Sequence, residues 1–302
     1  MTDLIPLFKF SLNVKNDIYE NLISMCFGPN GLLYFCDTYN HRIQVFDRNC
    51  IFKFTFGSEG SGKGQFYNPY ILYFGPNGLL YVCDTHNDRI QVFDQYGVFK
   101  FKFGSEGLEN GQFLWPEGLC FGPNDLLYVC DSYNHRIQVF DQNGKFKFTF
   151  GSQGKKNGQF KYPGGLYFGS NGLLYVCDVN NCRIQVFDQY GHFKFTFGSK
   201  GSENDQFSYP KTLCFGSNDL LYVWDSYNHR IQIFDQDGNF KFIIGSKESE
   251  DCRLGLVSGK YFKSNGLLYI YNLKSSSAQI FQHLKHQSLY QILAFSLSKS
   301  KK

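Results

Sequence analysis

Between Ile71 and Gly104, apolar and polar residues alternate in four short runs: ILYFG (Ile71–Gly75), LLYVCD (Leu79–Asp84), RIQVFD (Arg89–Asp94) and VFKFKFG (Val98–Gly104). A period of two puts every second side chain on the same face, as in a strand with one side buried. The breaks between the runs, PNG, THND, QYG and a longer SEGLENGQFLWP, hold the Gly, Asn, Asp and Pro that tight turns require. The pattern therefore predicts four antiparallel strands. It also recurs: CDSYNHRIQVFD, from Cys130 to Asp141, returns nearly unchanged from Cys36, Cys83, Cys177 and Trp224, and in worn form from Tyr271, each start 47 residues after the last. Self-similarity at such a period marks a repeat architecture. Four short antiparallel strands, repeated six times, predict an all-β, six-bladed β-propeller.

Blade limits fall at about 22–57, 69–104, 116–151, 163–198, 210–245 and 257–283, inside one ring covering 1–296, with 297–302 a basic tail. The sixth repeat loses its outer strand after Phe281. LFKFSL (Leu7–Leu12) is similar to IFKFTF (Ile51–Phe56) and is the preferred replacement; LYQILAF (Leu289–Phe295) competes for the same edge, because an uncovered strand edge invites aggregation. A second regularity lies inside the first. Cys26, Cys120 and Cys214 alternate with Tyr73, Tyr167 and Tyr261, and His41, His135 and His229 alternate with Asp88, Cys182 and Ser276, which implies growth by copying a two-blade unit.

LLYVCDSYNHRIQVFDQNGKFKFTFGSQGKKNGQF (Leu126–Phe160) resembles the NHL repeat: a strand ending in Asp, a turn, Asn-His-Arg-Ile-Gln-Val-Phe, and a strand closing on Phe-Gly-Ser. The resemblance runs from about Leu7 to Phe281, and the Gly-His and Trp-Asp marks of the WD40 repeat are missing from their places. The sixth copy departs from the pattern, with Asn272 in place of the Asp, and is expected to be the least stable blade. The resemblance implies the propeller fold. It also implies a binding role, since NHL propellers of tripartite-motif proteins bind single-stranded RNA and others bind protein.

The ten cysteines follow the repeat, so equivalent ones in neighbouring blades are too far apart for a bridge, whose Cα atoms lie within about 7 Å. They read as small buried hydrophobes in a reducing, cytoplasmic compartment. Cys182 and Cys50 fall in turns, where an exposed thiol is expected. No Asn opens an Asn-x-Ser/Thr sequon, the start MTDLIPLFKFSLN does not read as a secretory signal, and no apolar run is long enough to span a bilayer. Phe and Tyr number 34 and 21, enough to fill sheets packed face to face in one monomeric ring.

Repeated polar residues divide into scaffold and surface. Asp37, Asp84, Asp131, Asp178 and Asp225 end the second strand; Arg42, Arg89, Arg136, Arg183 and Arg230 begin the third, five positions on across a tight turn. Each pair reads as a staple, a charged hydrogen bond worth about 1.5–3 kcal/mol when partly buried. The recurring histidines read as structural or surface residues. Turns of alternate blades should lie on the order of 20 Å apart, given strands ~4.8 Å apart, whereas zinc needs ligands at about 2 Å, so neither metal nor cofactor is expected.

Function belongs where the repeats disagree. The positions flanking the blade-to-blade proline carry Tyr70, Trp115, Glu117, Tyr162, Gly164, Tyr209 and Lys211, and the turns after strand two carry Tyr39, His86, Tyr133, Asn180 and Tyr227. On one face of a propeller these would form an aromatic, polar-tipped surface suited to a peptide or an unstacked base. RNA binding wants a basic footprint. The net charge of +4 falls to +1 without Lys299, Lys301 and Lys302, and the long connections mix Lys155 and Lys156 with Glu106 and Glu109. The sequence thus favours a non-catalytic scaffold for protein or peptide, with single-stranded RNA as the alternative. A lyase- or hydrolase-like propeller enzyme is a second alternative; it lacks support from any nucleophile motif or axial histidine, and fold analogy alone carries no activity.

Overall fold

The computed structural model describes residues 8–11, 22–49, 51–216, 218–245, 257–262, 267–272 and 277–282, with side chains within 24–245. Leu7, Leu12, Glu20, Cys50, the segment Leu289–Phe295 and the tail 297–302 lie outside the described residues. The chain is an all-β propeller of four-stranded antiparallel blades. Five blades follow in sequence order. The third is built from Pro116–Phe121, Leu127–Asp131, Arg136–Phe140 and Phe146–Phe150, in that spatial order. A further four-stranded sheet joins both ends of the chain: Phe8–Ser11 pairs antiparallel with Ser277–Gln282, followed by Leu267–Asn272 and Val257–Phe262.

Burial explains the order of strands within a blade. LYVCD and RIQVF are buried along almost their whole length and sit in the middle. In FKFTF the phenylalanines are half-buried while Lys and Thr face water, so it forms the outer edge. The lysines there guard the edge, and the first lysine of each outer strand is paired with the Asp that closes the preceding turn, as in Lys147–Asp141 at 2.8 Å and Lys100–Asp94 at 2.7 Å.

The core lies between blades rather than within them. Phe56, Phe103, Phe150 and Phe197 of outer strands meet Phe93, Phe140, Phe187 and Phe234 of the next blade at ring distances of 5.2, 5.1, 5.1 and 5.0 Å. Polar bonds cross the same joints. Tyr128 Oη donates to the Gln189 carbonyl of the next blade at 2.6 Å, and Ser132 Oγ to the Pro163 carbonyl at 2.7 Å. Each blade buries its faces only against neighbours, which is why the unit of stability is the array.

Candidate binding face

The aspartate that ends each second strand is a hub. Asp131 accepts from Arg136 Nε at 2.7 Å, Gln138 Nε2 at 2.9 Å and Asn134 Nδ2 at 2.9 Å within its blade, and from the Leu114 backbone N–H at 2.7 Å. Asp84, Asp178 and Asp225 take the same four donors in their blades, with Arg89, Arg183 and Arg230 at 2.7 Å. Asp37 pairs with Arg42 at 2.8 Å. Arg136 Nη2 also donates to the Glu109 and Gln112 carbonyls, and Gln138 Nε2 to Gln112 O at 2.5 Å. These aspartates therefore do more than close their own turns: they clamp the long connection arriving from the preceding blade. The glutamines of RIQVF complete the hub and are missed by a reading that pairs charges alone. Their signal is a buried amide repeated in the middle of an apolar strand. Burial pushes the Asp84 and Asp178 carboxyls up, against the bonds from Tyr67 and Lys161 N–H, the neighbouring asparagines and the arginines.

The clamped connections end in a residue with left-handed backbone just before the proline: Asn68, Trp115, Tyr162 and Tyr209, with φ of 54, 54, 56 and 64°. Its N–H needs an acceptor. His41 Nδ1 supplies one to Asn68 at 3.0 Å, Asp88 Oδ1 to Trp115 at 2.7 Å and His135 Nδ1 to Tyr162 at 3.1 Å. Of the structural and surface readings, His135 takes the structural one, being buried and bound to backbone; burial holds its pKa below the ordinary value. Cys182, at the equivalent place in the fourth blade, is buried too, contrary to the expectation of an exposed thiol. The eight cysteines described with side chains are all free and buried.

Around these residues the rings form an arc across three blade joints. His41 lies 5.3 Å from Tyr67, Tyr67 5.3 Å from His86, His86 4.3 Å from Trp115, Trp115 4.8 Å from Tyr133 and Tyr133 4.9 Å from Tyr162. Asn180, exposed, interrupts the series in the fourth blade, and beyond it Tyr209 stacks on Tyr227 at 4.7 Å. Trp115, Tyr162 and Tyr209 are half-buried, while Tyr39, Tyr67, Tyr133 and Tyr227 are 60, 45, 45 and 58 % exposed. Tyr67 is absent from the sequence-derived set, although its position, occupied by Tyr67, Leu114, Lys161 and Ser208, varies as much as its neighbours. His86 Nδ1 is buried with no hydrogen-bond partner among the described residues, and burial lowers its pKa.

Tyr70, Glu117, Gly164 and Lys211 hold one equivalent position at the start of the innermost strands. Lys211 of the fifth blade pairs with Glu117 of the third, and Gly164 between them lets the Lys211 backbone pack close, since a Cβ there would lie 2.8 Å from the Lys211 carbonyl oxygen. The Lys211 ammonium stands 5.1 Å from the centre of the Tyr70 ring and 5.8 Å from that of Tyr209. Burial works against this ammonium, but Tyr70 and Glu117 outweigh it and its pKa lies above the ordinary value. Deeper along the axis is a cavity of about 70 Å³ whose lining includes Met25, Leu72, Leu119, Leu166 and Leu213. Tyr73 and Tyr167 also line it and meet edge to face at 6.4 Å, and the small Cys120 in the blade between them, with Cys26 and Cys214 on either side, leaves room for the rings. Packing thus explains the alternation of Cys and Tyr. No three His, Cys, Asp or Glu side chains converge on a metal-sized site among the described residues.

A family model for the NHL repeat matches residues 22–46, 66–93, 113–140, 160–187 and 207–234. No curated protein sequence matches the chain. Solved structures share its fold at low identity. A catalytically inactive virginiamycin B lyase from Staphylococcus aureus with quinupristin is 13 % identical over 97 % of this chain and 90 % of its own, with a TM-score of 0.69. A gluconolactonase from Xanthomonas campestris is 14 % identical over 90 and 88 %, TM-score 0.63. An auxiliary nutrient binding protein from Bacteroides thetaiotaomicron is 15 % identical over 92 and 75 %, TM-score 0.65.

Proposed function

We propose that the face of this NHL-repeat β-propeller on which the blade connections meet the starts of the innermost strands holds a segment of a partner protein as a non-catalytic recognition platform. In this reading the sheet joining both chain ends is the sixth blade, the ring is monomeric, and its free buried thiols suit a reducing cytoplasm. No described helix is long and apolar enough to cross a membrane.

The arc of rings from Tyr67 to Tyr162 carries the proposal. Tyr and Trp bring large contact area with little rotamer entropy to lose, and such residues dominate the energy of small interfaces. Charge favours protein over RNA. The recurrent lysines of the outer strands are paired with aspartates, so the basic footprint on this face is confined to Lys155, Lys156 and Lys161 of one connection. At the channel mouth, Glu117 and Lys211 neutralise each other, which leaves that acid and that base committed to structure rather than proton transfer.

The test is selection of displayed peptides on the purified chain, followed by binding to the variant carrying Trp115→Asn, Tyr162→Asn and Tyr209→Asn. Asn is the residue the second blade uses at this position, so the fold is kept. Selected peptides should lose at least ~30-fold in affinity, about 2 kcal/mol. Unchanged peptide affinity, or tight binding of single-stranded RNA that persists at physiological salt, removes the proposal.

A further inference from the structure

We infer that the segment held on this face is basic, and that one of its ammonium or guanidinium groups rests on Trp115. The inference depends on the peptide-binding reading above and gives it a chemistry. Trp115 is a bulky side chain at φ 54°, a backbone region where such residues are outliers, while Asn68 fills the equivalent place with a residue that tolerates it. The bond from Trp115 N–H to Asp88 is made by the backbone and would form with any side chain but proline. The indole is therefore not required by the turn. Its aromatic neighbours are His86 and Tyr133, on the open face rather than in a core. Outliers of this kind concentrate where a ligand is clamped.

The same face shows what such rings do with a cation. Lys211 sits over the Tyr70 and Tyr209 rings with Glu117 as its counter-ion, so one cation–aromatic–carboxylate arrangement is already filled from within. Around Trp115 stand the His86 and Tyr133 rings and the Asp88 carboxylate, and the connection that leads to it carries no cation of its own, Arg136 reaching it only through the Glu109 and Gln112 carbonyls. Residues 104–115 carry Glu106 and Glu109, both exposed, and no lysine or arginine. The other described connections differ: 57–68 has Glu59 and Lys63, 151–162 has Lys155, Lys156 and Lys161, and 198–209 has Lys200, Glu203 and Asp205. Glu106 stands near enough to help hold the Asp88 carboxyl up, after the larger effect of burial, and Asp88 is bonded to Trp115. Leu108, 68 % exposed in the same connection, offers apolar surface to the stem of a long basic side chain. The lysines near Tyr162 repel a cation from that end of the arc, which leaves Trp115 as its place.

The chain reports on this site directly. It has two tryptophans, and Trp224 is 1 % exposed, so quenching of fluorescence by acrylamide reads Trp115. The probes are a glycine-serine nonapeptide with two arginines, its citrulline twin and its glutamate twin, each titrated at up to millimolar concentration. The arginine peptide should protect Trp115 and bind about five- to thirtyfold tighter than the citrulline twin. By polarisation of labelled peptide, that preference should vanish in Trp115→Asn and in the double variant Glu106→Gln with Glu109→Gln, while the melting temperature of Trp115→Asn is unchanged or higher. Equal binding of the citrulline twin, tighter binding of the glutamate twin, preferential protection by single-stranded RNA, or no protection by any peptide overturns the inference. The displayed-peptide selection separates these failures: if selected peptides still depend on the three aromatic residues, the face binds peptide and only the basic chemistry is wrong.

Discussion

Asp131 accepts four hydrogen bonds with its carboxylate fully buried, and one of them comes from a guanidinium. Removing one partner of a buried charged network orphans the rest, so Asp131→Ala should destabilise the protein by about 3–5 kcal/mol in denaturant unfolding. A loss under 1 kcal/mol would show that water replaces the carboxylate at little cost. His135 has a lesser but distinct part. Its Nδ1 accepts the Tyr162 N–H only while unprotonated, and burial depresses its pKa in the folded state. The unfolded chain then binds the proton more readily, so the contribution is complete above the unfolded value of about 6.5 and is lost as pH falls below it, by at most about 1.4 kcal/mol per unit. His135→Asp, which copies the acceptor that Asp88 provides to Trp115, should keep near wild-type stability at neutral pH and flatten the fall in melting temperature between pH 7 and 5.5. An equally steep fall in the variant would assign the acid sensitivity elsewhere, His86 being the next candidate.

At the scale of the blade joint, the repeats carry a natural comparison. Thr38, Thr85 and Ser132 donate a hydroxyl to the carbonyls of Pro69, Pro116 and Pro163 in the following blade at 2.7, 2.8 and 2.7 Å. In the fourth blade the place is taken by Val179, buried at 1 % exposure, which has nothing to donate to Pro210. Threonine has nearly the shape of valine, and burying its hydroxyl is unfavourable only when the hydroxyl lacks a partner. Val179→Thr should therefore stabilise by about 0.5–1.5 kcal/mol, a net gain of one hydrogen bond. Calorimetry decides it, and a lower melting temperature would mean that the fourth joint is too closely packed for the hydroxyl to turn toward its acceptor.

At the scale of the molecule, neighbouring blades share their cores, so a break at one joint is felt by all. Phe8–Ser11 lies on the edge of the sheet formed with Ser277–Gln282 and ties the start of the chain to its end. Deleting residues 1–11 uncovers that edge, and the melting temperature should fall by roughly 5–10 °C while the transition stays cooperative. An unchanged transition would show that the ring does not depend on this strand.

The blade is legible in the sequence alone. Strand alternation, turn residues at fixed offsets and a constant period are local or strictly repeated, and each reaches the reader without knowledge of what lies across space. The sequence also marked Trp115, Tyr162 and Tyr209, because variation against a repeating background is visible in one chain. What the sequence left unread are contacts between residues far apart along it. Lys211 and Glu117 are 94 residues apart and meet across the intervening blade, where Gly164 packs against the Lys211 backbone; Tyr67 joins the arc because the hub at Asp84 holds its backbone; His135 is buried because the next connection folds over it. The period says that such positions are equivalent, but equivalence does not give distance. Only the closing of blades around an axis places one blade's side chains against another's, and that closing turned a list of variable aromatics into an arc of rings beside the paired Glu117 and Lys211.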